Sequence, residues 1–410
     1  MLPAVTERHA TFAVWEDGFD WAPSRSITYA DPHVPGAPEL TYVARSWESP
    51  VVTTDFGARE LIPSWNARTP AGTWLSVEVR VASEQRGDPW TPWLVLARWA
   101  EGDPGEGAPI TRTTVRGQAL DVGRVATDCY RATENHRFDR WQIRVTGLRP
   151  AGAPEDRADE SHDSHDSHDP ELTDGGWPEL TLVSGAALDF DVPDDEPTTA
   201  PTIGRALEVA VPPHSQRLHL GTFPEWDNGG ESWCSPTSTT MLLEHWGVAP
   251  TPEEFAWVGH DTDPAVVHGV RHVYDPAFPG AGNWTFNTAY AATRGLRAYV
   301  TRLRDLTEAE RFVEDGIPLV VSVTFRRDQL DGAGYDTNGH LLTIVGFTAD
   351  GDVVSNDPNS HTIASNEQVR TVYRRDQFER VWVGDDGGLA YVMTPPGVAL
   401  PEPPAEANWG

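Results

Sequence analysis

One stretch places a nucleophile where a nucleophile is strong. Residues 229–247 read GGESWCSPTSTTMLLEHWG, and Cys234 stands directly before what reads as a helix. Ser235 and Thr237 are of the types that cap helix N-termini, and Pro236 suits the first helical position. Met241, Leu242, Leu243 and Trp246 recur at roughly helical spacing, and Gly247 is a C-terminal stop. A thiol at such a helix start feels unpaired amide donors and the positive end of the helix dipole. Both favour thiolate over a thiol whose free pKa is ~8.5. A thiolate attacks carbonyl carbon. Local sequence leaves a second reading open, in which Cys234 is simply a buried, inert cysteine.

A base and its orienter come from NGHLLTIVGFTADGDVVSNDPNS, residues 338–360. HLLTIVGF and VVSND read as neighbouring antiparallel strands joined by the hairpin connection TADGD. His340 opens the first strand and Asp357 closes the second, so the hairpin brings the two side by side. A histidine beside a carboxylate is the pair that activates a thiol. The carboxylate fixes the ring tautomer and stabilises imidazolium, which in turn stabilises thiolate. Asn356 is the alternative orienter; adjacent strand residues point to opposite faces, and Asp357 is the choice.

Acyl transfer also needs donors for a developing oxyanion. The backbone amide of Cys234 is one. Gln216 is the candidate side-chain donor, and Asn228, nearer in sequence, is the alternative. Of the other histidines, His245, His260 and His361 sit in no comparable pattern. His268 and His272 could share a helix face and are assigned to a cleft wall or to structure. Cys129, in TDCYRA, has no capping sequence and reads as a packed side chain. This chemistry calls for no cofactor and no metal.

The chain that must position these groups has 410 residues, enough for two domains. Its hydrophobic content of 39% with 23% charged residues is that of a globular protein. A net charge of −31 argues against nucleic acid or an anionic membrane as partner. All basic side chains are arginine or histidine. Two cysteines make no disulfide framework. No apolar run reaches the ~18 residues of a membrane span. No signal peptide is visible, so the expectation is a cytoplasmic protein, with secretion as the alternative.

Residues 1–195 alternate short apolar runs with turn residues. In TWLSVEVRVA, residues 73–82, Leu75, Val77, Val79 and Val81 alternate with polar neighbours. SITYA, WTPWLVLARWA, RWQIRVTGL and ELTLVSGAALDF read likewise, and together they predict an antiparallel β-sandwich. An insertion at 155–175 carries the acidic tract with His162, His165 and His168, read as a solvated loop, with metal binding as the alternative. This half offers no nucleophile with a base beside it and is read as a positioning module, contacting polypeptide or glycan. A linker follows at 196–204. Residues 205–410 predict an α+β domain: helices at 234–246, 286–296 and 307–315, the last opened by a Thr307/Glu310 capping box, and a central strand PLVVSVTF at 318–325.

The Cys234 helix, the His340–Asp357 hairpin and the SQ dipeptide upstream of the cysteine resemble papain-like cysteine peptidases. More narrowly, they resemble the bacteriocin-processing, double-glycine-leader branch. The whole chain is similar to two-domain actinobacterial-type members, closely over about 205–395 and more loosely before that. The resemblance implies Cys234 as nucleophile, His340 as general base and acid, Asp357 as orienter and Gln216 as oxyanion residue, acting on a peptide or protein substrate. The chain departs from the pattern in one respect: Gln216 lies farther from the cysteine than in the family, across the insertion HLGTFPEWDNGGES. It also lacks the membrane spans and nucleotide-binding cassette of the leader-peptide exporters, so their substrate does not carry over. Other acyl transfer on the same fold, by a cell-wall amidase or a transglutaminase-type enzyme, and a non-catalytic binder are the rival readings.

Overall fold

A computed structural model describes residues 8–84, 86–152, 176–189, 198–227, 229–259 and 262–410. The His162–His168 tract, Asn228, His260 and the start of the 196–204 segment lie outside these residues. The first half builds two antiparallel sheets. One runs His9–Trp15, Glu179–Asp189, Glu60–Arg68, Tyr130–Ala132, Gly123–Val125 and Ala119–Leu120 in spatial order. The other runs Arg25–Tyr29, Leu40–Glu48, Phe138–Pro150, Trp74–Ala82, Leu94–Trp99 and Thr113–Thr114, with Val52–Ala58 also pairing on Phe138–Pro150. The period-two stretches became strands because their apolar faces meet between the sheets. Leu75, Val77 and Val79 are fully buried, as are Trp65, Trp99 and Trp141. Eight of the 17 tryptophans are buried in the core; Trp90 and Trp93 instead lie half-buried under Arg80, at 4.8 and 4.4 Å.

The second half sets α1 (Cys234–His245), α3 (Trp284–Thr293) and α4 (Leu306–Glu314) against a third antiparallel sheet, with α2 (Pro264–Val273) packed on α1 and α3 and a short helix at Arg375–Glu379. Its order is Arg297–Arg302, Leu389–Thr394, Leu319–Phe325, Thr337–Phe347, Val353–Asn356 and Arg370–Tyr373, with Leu207–Glu208 pairing on Thr337–Phe347. The expected α+β architecture is present. The capping box at Thr307 is not. Asp305 caps α4 instead, its carboxylate accepting from the amides of Thr307 and Glu308 at 2.8 and 3.1 Å. Glu310 is drawn off into a buried ion pair with Arg375 at 2.6 Å.

The halves share one apolar core. Phe286 of α3 packs against Trp65 and Trp99 at 6.2 and 5.4 Å between centroids. The side chain of Asn66 copies a strand pairing, donating to Ala298 O at 2.6 Å and accepting from Ala298 N at 3.0 Å. Arg302 reaches Glu60 at 2.7 Å inside this junction. A buried pair of this kind is costly to leave half-made. Among the described residues, no helix is long and apolar enough to cross a membrane.

Candidate active site

Helix α1 starts at Cys234 itself. Ser235 and Thr237 do not cap it; Trp233 occupies the N-cap position without a side-chain bond. Burial explains the difference. The hydroxyls are inside the protein and bond backward or outward: Thr237 to Trp233 O at 2.7 Å, Ser235 to Tyr391 at 2.9 Å, Ser238 to Leu341 O at 3.1 Å. The helix is enclosed on every side from Cys234 to Leu243, which is why its apolar stripe is weak. Pro236 sits in the first turn, where a missing N–H costs nothing. The approach to Cys234 demands glycine. A Cβ on Gly229 would meet His219 O at 2.2 Å, and one on Gly230 would meet Gln216 O at 2.3 Å.

His340 and Asp357 meet as the hairpin dictates. Thr343 pairs with Asn356, and just beyond that pair Asp357 Oδ1 accepts from His340 Nε2 at 2.8 Å. Asn356 turns away, donating to Val211 O at 3.1 Å. Asp357 is fully buried and saturated with donors: Asn359 N at 2.9 Å, Tyr335 Oη at 2.8 Å and Tyr373 Oη at 2.5 Å. Tyr335 also stands edge-on to the imidazole, 5.4 Å between centroids. Neither tyrosine stood out in the sequence, because each comes from a segment outside the hairpin. A tyrosine shortly before His340, in GAGYDTNGH, and another in RTVYRR were the available signals.

The third partner closes the array. With Nε2 held by Asp357, Nδ1 of His340 is the ring nitrogen left for the thiol, and His340 and Cys234 line the same cleft. The amides of Ser235 and Leu341 also point at the sulfur. Cys234 is 8% exposed, His340 3%. Burial alone would push the Cys234 thiol up, but His340 and these amides outweigh it and hold the thiol below its ordinary range. Burial would likewise discharge His340, yet the Asp357 carboxylate and then the sulfur raise it to about 10. Asp357 is held below the usual carboxylate range: burial opposes this, and the imidazole and tyrosine hydroxyls prevail. All three shifts run in the direction that favours a thiolate beside an imidazolium.

Cys234, His340 and Gln216 line one cleft of about 910 Å³ at the junction of the two halves, with Thr127 and Arg131 contributed by the sandwich. Gln216 is 2% exposed, and its amide nitrogen donates to Gly230 O at 2.7 Å and Glu231 O at 3.0 Å. It therefore braces the glycine turn that crosses the long interval to Cys234. His268 and His272 do share a helix face, stacked 3.9 Å apart on α2. They line a separate cavity of about 240 Å³ with Trp99 and Tyr290. Cys129 is buried, donates to Glu60 at 3.4 Å, and burial pushes its thiol well up. Among the described residues, no cluster of three or more metal-ligating side chains occurs.

The sequence reading passed over His214. It is buried between Glu244 at 2.8 Å and Asp263 at 3.3 Å. Asp263 in turn accepts from Asn366 at 2.9 Å, and Asn366 Oδ1 accepts from Ser215 N at 2.7 Å, beside Gln216. Burial works against the charge, but the two carboxylates raise His214 to about 9. A raised pKa means stability fully present below the unfolded-state value of ~6.5 and lost as pH climbs through the folded value near 9. His214→Gln is expected to lower stability by about 1–3 kcal/mol at pH 6, with the deficit shrinking above pH 9. Denaturant unfolding at both pH values measures it, and a pH-independent deficit contradicts the charged role.

Two family models match the chain. The Peptidase C39 N-terminal domain model, of actinobacterial type, matches residues 7–157. The Peptidase C39-like family model matches residues 208–387, the span that contains Cys234, His340 and Asp357. The chain is a two-domain protein of the peptidase C39 type. No curated protein matches this C39-type chain. Among solved structures, a truncated AlyQ with CBM32 and alginate lyase domains aligns at 8% identity over 94% of this chain and 98% of that one. Its TM-score of 0.14 carries no structural argument.

Proposed function

We propose that this C39-type protein is a cysteine peptidase working through Cys234, His340 and Asp357. The observation that carries the reading is the buried His340–Asp357 hydrogen bond together with Cys234, at the start of α1, lining the same cleft as His340. In this reading the Cys234 thiolate adds to a peptide carbonyl. The His340 imidazolium gives its proton to the departing amine, leaving an acyl-enzyme thioester. Water then attacks the thioester, with neutral His340 taking its proton and returning it to the leaving sulfur. Asp357 holds the ring and stabilises its charged form without itself taking the proton. The backbone amide of Cys234 is the oxyanion donor in this reading; Gln216 lines the same cleft, but both N–H groups of its amide are spent on Gly230 O and Glu231 O, and it would have to release one of them to become the second.

Quenched reactions with a cleaved peptide test this chemistry. Acid quench followed by intact-mass measurement is expected to show the chain heavier by the acyl half of the peptide, attached at Cys234 and removed by hydroxylamine. Turnover with no hydroxylamine-sensitive adduct under single-turnover sampling contradicts the thioester route.

A further inference from the structure

One wall of the cleft is a stretch with neither helix nor strand. Residues 278–283 line it in an unbroken run, between the end of α2 and the start of α3. Backbone outside helices and sheets must find its hydrogen bonds elsewhere. From its own half, Asn287 of α3 donates to Ala281 O at 2.9 Å and to Asn283 O at 2.8 Å. Other grips on the wall come from the sandwich.

Asp275 is the hub of these grips. It is fully buried, just before the wall. Its carboxylate accepts from Thr114 N at 3.2 Å and Thr114 Oγ1 at 2.5 Å, on the sandwich strand Thr113–Thr114. The Thr113 hydroxyl lies farther off, at 3.4 Å. The same carboxylate accepts from Ala277 N at 3.0 Å and Asn283 Nδ2 at 3.1 Å, and the Asp275 amide donates to Gly280 O at 2.9 Å. One buried side chain thus ties both ends of the wall to the sandwich. Two further contacts repeat the pattern. Arg116 donates to Ala277 O at 2.8 Å and lies over the Phe278 ring at 4.7 Å. Asp128 accepts from the amide of Trp284, at the start of α3, at 3.2 Å. A buried carboxylate so surrounded is a fixed point, because any donor that moves away leaves an acceptor unsatisfied.

We propose that Asp275 is a positioning residue through which the sandwich sets the substrate-binding wall of the cleft. The proposal rests on the peptidase reading for what the wall binds. Asp275, Thr114 and Arg116 are not among the residues that line the cleft, so they act on substrate only through 278–283. Loosening the hub therefore weakens substrate binding and leaves the activation of Cys234 by His340 as it was. The N-terminal half gains a role in the reaction without supplying a reacting group.

The test uses the full-length chain with Arg116→Ala, at an exposed position, and separately with Thr114→Val, which removes the hydroxyl and keeps the shape. Hydrogen–deuterium exchange read by mass spectrometry is expected to quicken across 274–283 in both variants, with α1 unchanged. A peptide that the wild type cleaves, drawn from a randomised decapeptide library, is expected to show KM raised roughly 3- to 10-fold and kcat within about twofold. The pH curve of Cys234 alkylation is expected not to move. Unaltered exchange across 274–283 in both variants, an unchanged KM despite faster exchange, or an alkylation curve that shifts along with KM overturns the proposal. A wild type that cleaves no library member, with exchange responding as described, defeats the peptidase reading and supports the tie between sandwich and wall.

Discussion

Cys234→Ala is expected to remove peptide hydrolysis by a factor of at least ~10⁴ while leaving the fold in place. The effect is large because no other group can take the sulfur's role. Cys129 is in the sandwich core, bonded to Glu60, with a thiol that burial pushes up. Ser235, the neighbouring hydroxyl, is bound to Tyr391 at 2.9 Å inside the protein. The structural cost is small, since alanine removes one atom from a site already packed by Trp233 and α1, on the order of 1 kcal/mol. Steady-state hydrolysis and thermal unfolding, measured side by side, check it. Activity within tenfold of wild type in a folded Cys234→Ala chain sinks the nucleophile assignment.

Asp357→Asn is expected to lower kcat by about 10²–10⁴, with a smaller change in KM. The side chain keeps its shape, so the loss is electrostatic. A neutral amide cannot hold the buried imidazole charged, so the imidazolium returns its proton to sulfur and leaves a thiol beside a neutral ring. The amide also places its N–H₂ where the carboxylate accepts from Tyr335 and Tyr373 or from His340 and Asn359. At least one buried donor then loses its acceptor, costing about 1–3 kcal/mol of stability. The signature is a pH–kcat/KM profile whose acidic limb moves up by more than a unit. An unchanged profile at reduced rate would mean that Asp357 acts only in folding.

Most of the site was legible because its parts are local. The His340–Asp357 juxtaposition follows from strand pairing across one short turn, and the place of Cys234 from the helix start that Pro236 and the apolar spacing of Met241, Leu242 and Leu243 mark. The period-two runs of the sandwich were readable for the same reason. What escaped depends on contacts distant in sequence. Of the expected capping hydroxyls of α1, that of Ser235 was claimed by Tyr391, from a distant strand, while that of Thr237 turned back to Trp233 O. Asp305 displaced the expected box at α4 because Glu310 pairs with Arg375, far along the chain. The tyrosines on Asp357 and the His214 cluster come from separate segments that only the fold assembles. Gln216 was found at the cleft, as its SQ context suggested, but the glycine turn that holds its amide could not be read from spacing alone.

The pH dependence of Cys234 alkylation by iodoacetamide tests the central claim most directly, because it needs no substrate. The thiolate–imidazolium pair predicts rapid labelling of Cys234 already near pH 6, far below the ~8.5 of a free thiol, with Cys129 unlabelled until the chain unfolds. His340→Ala is expected to move the midpoint of that curve up to or beyond the free-thiol value. A wild-type curve that rises only around pH 8.5 or above, unaltered by His340→Ala, would contradict the account.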